Sequence, residues 1–189
     1  MIELEKLMYC RLGTADLDAA EAWATIILGL DVAERTPKAR YFESDEREYT
    51  LCYFEGRPDD QAAGFEVASV DELAAAAAEL ERMGHPVHAG TPGECEQRKV
   101  RQFIAFDDPS GNRIELVVRP SYGGRYHGFR DAGITGFSHI GLFSTDIVRD
   151  EAFWTGVFNA RVSDRVGDVP LLRIDEVHHS IAPVRRSTM

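Results

Sequence analysis

The key to the fold is the stretch Phe137-Ser-His-Ile-Gly-Leu-Phe-Ser-Thr-Asp146, because it repeats an earlier stretch of the chain. The earlier copy is Leu7-Met-Tyr-Cys-Arg-Leu-Gly-Thr-Ala-Asp16. The two stretches align with Leu7 over Phe137, and the alignment runs without a gap to Tyr53 over Pro183. Nine of the 47 aligned pairs are identical, and the hydrophobic pattern agrees between the two copies. An internal repeat of this kind predicts a fold built from copies of one supersecondary unit.

The first copy predicts a strand, a helix and a hairpin, in that order. Leu7–Leu12 alternates as a strand does, and Asp16 is a residue type that caps helices. After it, the predicted helix has apolar residues spaced three or four apart on one face, at Ala20, Trp23, Ile27 and Leu30. Aromatic and β-branched residues at 40–54 predict strands around a turn. We interpret this order as a βαβββ unit.

A second unit of the same kind is predicted from Gly64 onward. Ser69 and Glu72 have the spacing of a capping box, and an alanine-rich helix follows them. Residues 101–118 predict a last hairpin around the turn cluster Asp107–Asn112. The chain is therefore predicted to be α+β, with tandem βαβββ modules of which the second is incomplete.

The repeat also predicts the domain limits. Residues 1–119 form an N-terminal module of two βαβββ units, which we expect to be metal-free. Residues 120–133 contain Pro120 and four glycines, a composition typical of a linker. Residues 134–189 form the first half of a C-terminal module that we expect to bind metal.

The composition indicates a globular protein and disfavours several function classes. Of the 189 residues 44% are apolar, and the net charge is 21 − 32 = −11, which disfavours binding to nucleic acids or anionic membranes. No stretch approaches the roughly 20 apolar residues that span a bilayer, and the first residues do not have the pattern of a secretory signal. Three cysteines without a C-x-x-C pair favour reduced thiols, so we expect a cytoplasmic protein.

The two copies differ at positions where metal chemistry could occur. Tyr9 aligns with His139, and Tyr49 aligns with His179. Because imidazoles held on neighbouring strands bind divalent metals, we predict that His139 and His179 are metal ligands. The alternative is that Tyr and His both fill the interior of a sheet, but packing alone hardly explains two replacements at equivalent positions. The adjacent His178 is expected to point to the opposite face of the strand.

The same residues carry a resemblance to a known family. The segments Phe137–Leu142, His178–Ala182 and Asp108–Glu115, in a two-module layout, resemble the type I extradiol ring-cleavage dioxygenases of the vicinal oxygen chelate superfamily. The resemblance extends from about Leu4 to Pro183. It implies a metal-free N-terminal module and a C-terminal module that binds Fe(II), or Mn(II) in some members.

The resemblance further implies the ligands and the reaction. Family members bind the metal through two His and one Glu, and His139 and His179 match the two histidines by motif. Such a triad leaves three metal positions open, where a catechol and dioxygen can bind before the ring is cleaved next to its hydroxyls. A carboxylated catechol such as 2,3-dihydroxy-p-cumate, degraded in aromatic catabolism, is one candidate substrate. We expect a homo-oligomer with no nucleic-acid or membrane partner.

Two features depart from the family pattern. The expected third ligand is a Glu in the C-terminal module, and the alignment of the two copies places this counterpart of Glu115 well beyond Met189. We therefore expect this sequence to belong to a longer protein; the alternative is a natural truncation without the full site. The family also has a His between its two metal histidines that handles the catechol proton, whereas no His occurs from Ile140 to Val177. The acid–base residue is therefore left unassigned.

Two other functions use the same modules. A glyoxalase-like isomerase or lyase in its two-module form usually draws metal ligands from both repeats, whereas the first copy offers Tyr9 and Tyr49. A non-enzymatic binding protein of the bleomycin-resistance type typically lacks metal ligands, so His139 and His179 argue against it. Replacing His139 with Ala should remove the metal under both enzyme hypotheses and leave ligand binding intact under the third.

Overall fold

The computed structural model describes residues 1–124, 126, 134 and 136–185. Within these residues the fold is α+β, with two β-sheets of eight and four strands, and no helix is long and apolar enough to cross a membrane. The strands are β1 (Lys6–Thr14), β2 (Asp31–Thr36), β3 (Ala39–Glu43), β4 (Leu51–Glu55), β5 (Gln61–Glu66), β6 (His88–Ala89), β7 (Val100–Asp107), β8 (Arg113–Pro120), β9 (Ile140–Ser144), β10 (Arg161–Val166), β11 (Val169–Arg173) and β12 (Ile181–Arg185). The helices are α1 (Leu17–Ala22), α2 (Val70–Arg82), α3 (Pro92–Arg98) and α4 (Ile147–Val157).

The order of these elements repeats three times along the chain. We name β1-α1-β2-β3-β4 the first repeat, β5-α2-β6-β7-β8 the second and β9-α4-β10-β11-β12 the third. Each is a βαβββ unit, which confirms the predicted fold class, and α3 is an addition between β6 and β7. Within the predicted linker, residues 125 and 127–133 lie outside the described part of the chain. The domain limits at 119 and 134 stay a prediction.

Two compact units are formed by segments that alternate along the chain. The larger unit comprises Met1–Leu7, Gly64–Arg119 and the described residues from Ser138 onward. The smaller unit comprises Met8–Ala63 and the described residues of Pro120–Phe137. The third repeat therefore belongs to the larger unit, and most of the first repeat belongs to the smaller one.

In the smaller unit the strand order is β2-β3-β4-β1. Strands β1 and β4 are parallel, with Cys10 opposite Leu51, and a bulge at Ala33 interrupts the antiparallel pairing of β2 with β3. The unit has a core cluster of Ala24, Leu30 and Phe42, against which Leu28, Val32, Leu51, Tyr53 and Ile134 pack.

The helix of the first repeat differs from the prediction in its second half. After α1 ends at Ala22, the backbone continues as a π-helical segment over Trp23–Leu28. The predicted apolar face is buried only in part, because Trp23 is 45% exposed and Ile27 66% exposed, whereas Leu30 is buried. The neighbouring Ala24, which is not predicted to share this face, is buried as well. A π-helical turn takes more residues than an α-helical turn, so a spacing of three and four residues does not identify its buried face.

In the larger unit the third repeat forms the sheet β10-β11-β12-β9. Strands β9 and β12 are parallel, with Ile140 opposite Ile181, and Ser163 forms a bulge between β10 and β11. In the alignment of the two copies, this register and this bulge are those of the first repeat. The N-caps of α1 and α4, Asp16 and Asp146, are equivalent in the same way. The sequence repeat is therefore also a repeat of backbone pairing.

The turn between β7 and β8 fixes the end of β9 in the same unit. Asn112 Nδ2 donates a hydrogen bond to the Phe143 carbonyl oxygen at 2.7 Å, and the Phe143 amide donates to Asn112 Oδ1 at 3.1 Å. Asn112 is itself held by Asp108, whose Oδ2 lies 2.7 Å from Asn112 Nδ2. Because β9 begins one residue after His139, this turn helps to place that histidine.

Candidate metal centre

Two histidines of the third repeat lie side by side. His139 is the residue before β9, and His179 lies two residues before β12. Since β9 and β12 are paired in parallel, the two side chains meet, with ring centroids 4.5 Å apart and ring planes at 39°. The structure therefore brings together the two residues that the sequence comparison singled out.

The equivalent tyrosines meet in the first repeat. Tyr9 and Tyr49 stack with centroids 5.1 Å apart and an angle of 22°, and Tyr41 contacts Tyr49 edge-on. Tyr9 and Tyr49 are only 2% and 4% exposed, whereas His139 is exposed and His179 is half-buried. The same backbone position thus holds packed rings in one repeat and accessible imidazoles in the other.

Polar groups surround the histidine pair. Ser138 Oγ lies 3.2 Å from His139 Nδ1, and His178 Nδ1 lies 3.0 Å from His179 Nδ1. The expectation that His178 points away from His179 is wrong. Both residues lie in the loop before β12, where side chains do not alternate between two faces as they do in a strand. Asp164 Oδ2 lies 4.0 Å from His178 Nε2, so a carboxylate is also nearby.

The surroundings of His179 favour its neutral form. Burial, followed by the nearby His139 and His178 rings, lowers the pKa of His179. A neutral imidazole has a free lone pair on one ring nitrogen, and this is the form that binds metals. The surroundings of His179 therefore favour the form in which a ring nitrogen could hold a metal.

The described residues contain no group of three or more His, Cys, Asp or Glu that could hold a metal. Glu115, from the family-like motif, has a buried carboxylate that accepts hydrogen bonds from Arg98 at 2.6 to 2.9 Å. Sequence reasoning missed this ion pair, because its partners lie 17 residues apart and meet only in the folded chain. The two imidazoles fit a divalent metal whose remaining positions are open to other ligands.

The sequence matches a protein family and several curated proteins. The family model of the Glyoxalase/Bleomycin resistance protein/Dioxygenase superfamily matches residues 6–116, more than half of the chain. An iron-dependent extradiol dioxygenase of Rhodococcus jostii (strain RHA1) is 28% identical over 183 residues, which cover 90% of this chain and 59% of that protein. A biphenyl-2,3-diol 1,2-dioxygenase of Metapseudomonas furukawaii is 29% identical over 199 residues, covering 96% of this chain and 65% of that protein. The chain thus spans less than two thirds of these relatives.

Solved structures share the fold at lower sequence identity. Homoprotocatechuate 2,3-dioxygenase from Arthrobacter globiformis matches with a TM-score of 0.84 and 19% identity, over 98% of this chain and 61% of that one. The Mn(II)-bound glyoxalase from Novosphingobium aromaticivorans matches with a TM-score of 0.83 and 22% identity, over 98% and 63%. A dioxygenase and a glyoxalase match almost equally well, so the fold by itself does not choose between their chemistries.

Proposed function

The chain belongs to the Glyoxalase/Bleomycin resistance protein/Dioxygenase superfamily, and from this premise we propose that it is part of a non-haem Fe(II)-dependent extradiol dioxygenase, with Mn(II) as an alternative metal. The observation that carries the proposal is the pair His139 and His179, with ring centroids 4.5 Å apart at the ends of paired strands. Relatives named as an iron-dependent extradiol dioxygenase and a biphenyl-2,3-diol 1,2-dioxygenase support it.

The residues of the chain would hold and orient the metal. His139 and His179 would each bind it through one ring nitrogen, and the paired strands limit how far the two rings can move. Ser138 Oγ lies 3.2 Å from His139 Nδ1 and would restrain the orientation of that ring. Bound iron(II) supplies the Lewis acidity and redox chemistry that a catechol and dioxygen require. The third ligand of the proposed site, a carboxylate, is left unassigned.

The proposed substrate is a substituted catechol, with a carboxylate as one candidate substituent. His139 is exposed and His179 is half-buried, so a planar aromatic diol can approach both imidazoles. The relative that is named for biphenyl-2,3-diol supports an aromatic diol as the substrate class. We assign the reaction to the breakdown of aromatic compounds in the cytoplasm, by a homo-oligomer.

A glyoxalase-like metal-dependent isomerase or lyase is the second candidate. A Mn(II)-bound glyoxalase has the same fold, so the fold is compatible with this chemistry. Against it, both imidazoles come from the third repeat, and the first repeat has Tyr9 and Tyr49 at the equivalent positions. The same imidazole pair argues against a metal-free binding protein of the bleomycin-resistance type.

Removing the histidines one at a time tests the proposal. We expect the wild-type protein, loaded with Fe(II) without oxygen, to retain iron, and His139→Ala and His179→Ala to lose both iron and ring cleavage. His88→Ala is the matched control, because it removes an exposed histidine that contacts Glu94. Metal analysis measures the iron, and absorbance of the ring-opened product of 2,3-dihydroxybiphenyl measures the reaction.

The outcomes of these substitutions distinguish the candidate functions. Full iron content in His139→Ala would show that the metal assignment is wrong. Iron retention without ring cleavage, together with isomerisation of a hemithioacetal that His139→Ala abolishes, would favour the glyoxalase-like candidate. Loss of iron in His88→Ala as well would mean that the loss is not specific to the proposed site.

A further inference from the structure

Ser163 connects the bulged strand β10 to the loop between β11 and β12, which contains His178 and His179. It is the extra residue of the bulge between Val162 and Asp164. Its hydroxyl lies within hydrogen-bond distance of two carbonyl oxygens, that of Leu171 at 3.0 Å and that of His178, and can donate its single proton to either. The hydroxyl thus connects the bulge to the backbone of the loop before β12.

The first repeat holds its equivalent loop by other means. In the alignment of the two copies Ala33 replaces Ser163, so that position of the first repeat offers no hydroxyl. Its loop instead contains the buried ion pair between Arg47 and Asp45. The third repeat has Val177 where the first repeat has Arg47. The two repeats therefore hold equivalent loops through different side chains, and the serine occurs in the repeat that has the histidines.

We propose that Ser163 is a positioning residue for the metal centre of His139 and His179, an inference that rests on the proposed function. The carbonyl of His178 lies in the same peptide plane as the amide of His179, so holding that oxygen restrains the direction in which the His179 side chain leaves the backbone. Groups behind metal-bound histidines set the ring orientation and influence metal affinity. Bulges next to active sites serve to re-aim side chains in this way.

Further backbone contacts of this loop lie on either side of His178 and His179. Asp175 Oδ1 accepts a hydrogen bond from the Val177 amide at 3.0 Å. The Ser180 amide donates to the Leu172 carbonyl oxygen at 2.8 Å. The Ser163 hydroxyl contacts the loop between Val177 and Ser180, at the carbonyl oxygen of His178.

Variants of the full chain, with Co(II) as the probe metal, test the proposal. Ser163→Ala should weaken Co(II) binding, because the backbone before His179 loses a restraint, and should shift the visible absorption bands of bound Co(II). Ser163→Thr keeps a hydroxyl and should restore most of the affinity and the spectrum. Thr155→Ala is the matched control, because it removes a hydroxyl that donates to the Glu151 carbonyl oxygen on α4 at 2.8 Å. It should leave Co(II) binding unchanged.

His139→Ala and His179→Ala separate this inference from the proposed function. If they lose Co(II) binding while Ser163→Ala binds it like the wild type, the inference about Ser163 is wrong and the proposal of a metal centre at His139 and His179 is retained. If they bind Co(II) like the wild type, the metal centre itself is wrong. A loss in Ser163→Ala that Ser163→Thr does not restore, accompanied by a lower free energy of unfolding, would also overturn the inference, because Ser163 would then act on stability alone.

Discussion

Single residues account for the chemical difference between the first and third repeats. Tyr9 and Tyr49 pack as buried rings, whereas His139 and His179 place imidazoles at the same positions of the same backbone register. Because the pairing of the strands is unchanged, the metal binding that we propose for the third repeat would depend on these side chains and not on a different fold.

The first repeat has a buried pair of hydroxyl groups, and the third repeat keeps only one of the two. Ser44 Oγ and Thr50 Oγ1 lie 2.9 Å apart, but their counterparts are Ile174 and Ser180. Ser180 Oγ is buried without a hydrogen-bond partner among the described residues. We expect Ser180→Ala to leave the free energy of unfolding unchanged or to raise it, and Thr50→Val to lower it by about 1–3 kcal/mol. Urea denaturation measures both, and equal losses would contradict the prediction.

The ion pair of Asp45 and Arg47 predicts a dependence of stability on pH. Burial opposes ionisation of Asp45, but hydrogen bonds from Arg47 and the Phe137 amide outweigh it and lower the pKa of this carboxyl. A carboxyl with a depressed folded-state pKa contributes stability above its unfolded pKa of about 4, and this contribution is lost as the pH falls through the folded value. Asp45→Asn should therefore flatten the acid dependence of the free energy of unfolding.

At pH 7 Asp45→Asn should also lower the free energy of unfolding by about 3 kcal/mol, because it leaves a buried guanidinium without its counter-charge. Urea denaturation at a series of pH values, from acid to neutral, measures both effects. Glu79→Gln is the control, since Glu79 pairs with Arg82 at the surface of α2, and its curve should follow that of the wild type. An unchanged acid slope in Asp45→Asn would count against this prediction.

At the scale of elements, the equivalent helices α1 and α4 have the same kind of N-terminal cap but differ in the helix type that follows it. Asp16 and Asp146 cap α1 and α4 with the same side-chain contacts to the backbone. The helix of the third repeat remains α-helical to Val157, whereas that of the first becomes π-helical at Trp23. The cap therefore determines where each helix starts, and contacts further along determine how it continues.

The turn that holds β9 should be important for stability. Asn112→Ala removes both hydrogen bonds to the Phe143 backbone and the bond to Asp108, so we expect a loss of about 2–3 kcal/mol in the free energy of unfolding. Asp107→Asn, which removes an exposed ion pair with Arg113 in the same turn, should cost less than about 1 kcal/mol. Chemical denaturation compares the two variants, and similar losses would show that Asn112 does not anchor β9.

At the scale of the whole molecule, three βαβββ repeats are present in the described residues, and the third places an imidazole pair where the first places two tyrosines. Family membership and the fold are shown by the family match and by the solved structures. Because both a dioxygenase and a glyoxalase share this fold, the reaction must be argued from the site.

Metal binding should stabilise the folded chain as a whole. A ligand that binds only the folded state at 100 times its dissociation constant adds about 2.7 kcal/mol to the free energy of unfolding. We therefore expect Co(II) to raise the melting temperature of the wild type and of His88→Ala, and a chelator to reverse the rise. Thermal denaturation of His139→Ala should show no rise, and an increase equal to that of the wild type would place the metal elsewhere.

The repeat and its structural consequences could be predicted from the order of the amino acids. The alignment of Leu7–Tyr53 with Phe137–Pro183, together with the capping and turn signals between them, predicted the βαβββ order, the helix caps and the meeting of His139 with His179. These features depend on local patterns and on strand register, which equivalent stretches of chain reproduce in each repeat.

Three other features of the protein could be found only in the folded structure. The exposure of Trp23, the ion pair of Arg98 with Glu115 and the contact of Ser163 with the His178 carbonyl have no signal in the local sequence pattern. Each depends on groups that are distant in sequence or on a bulge that rotates the backbone, so each appears only when the chain has folded.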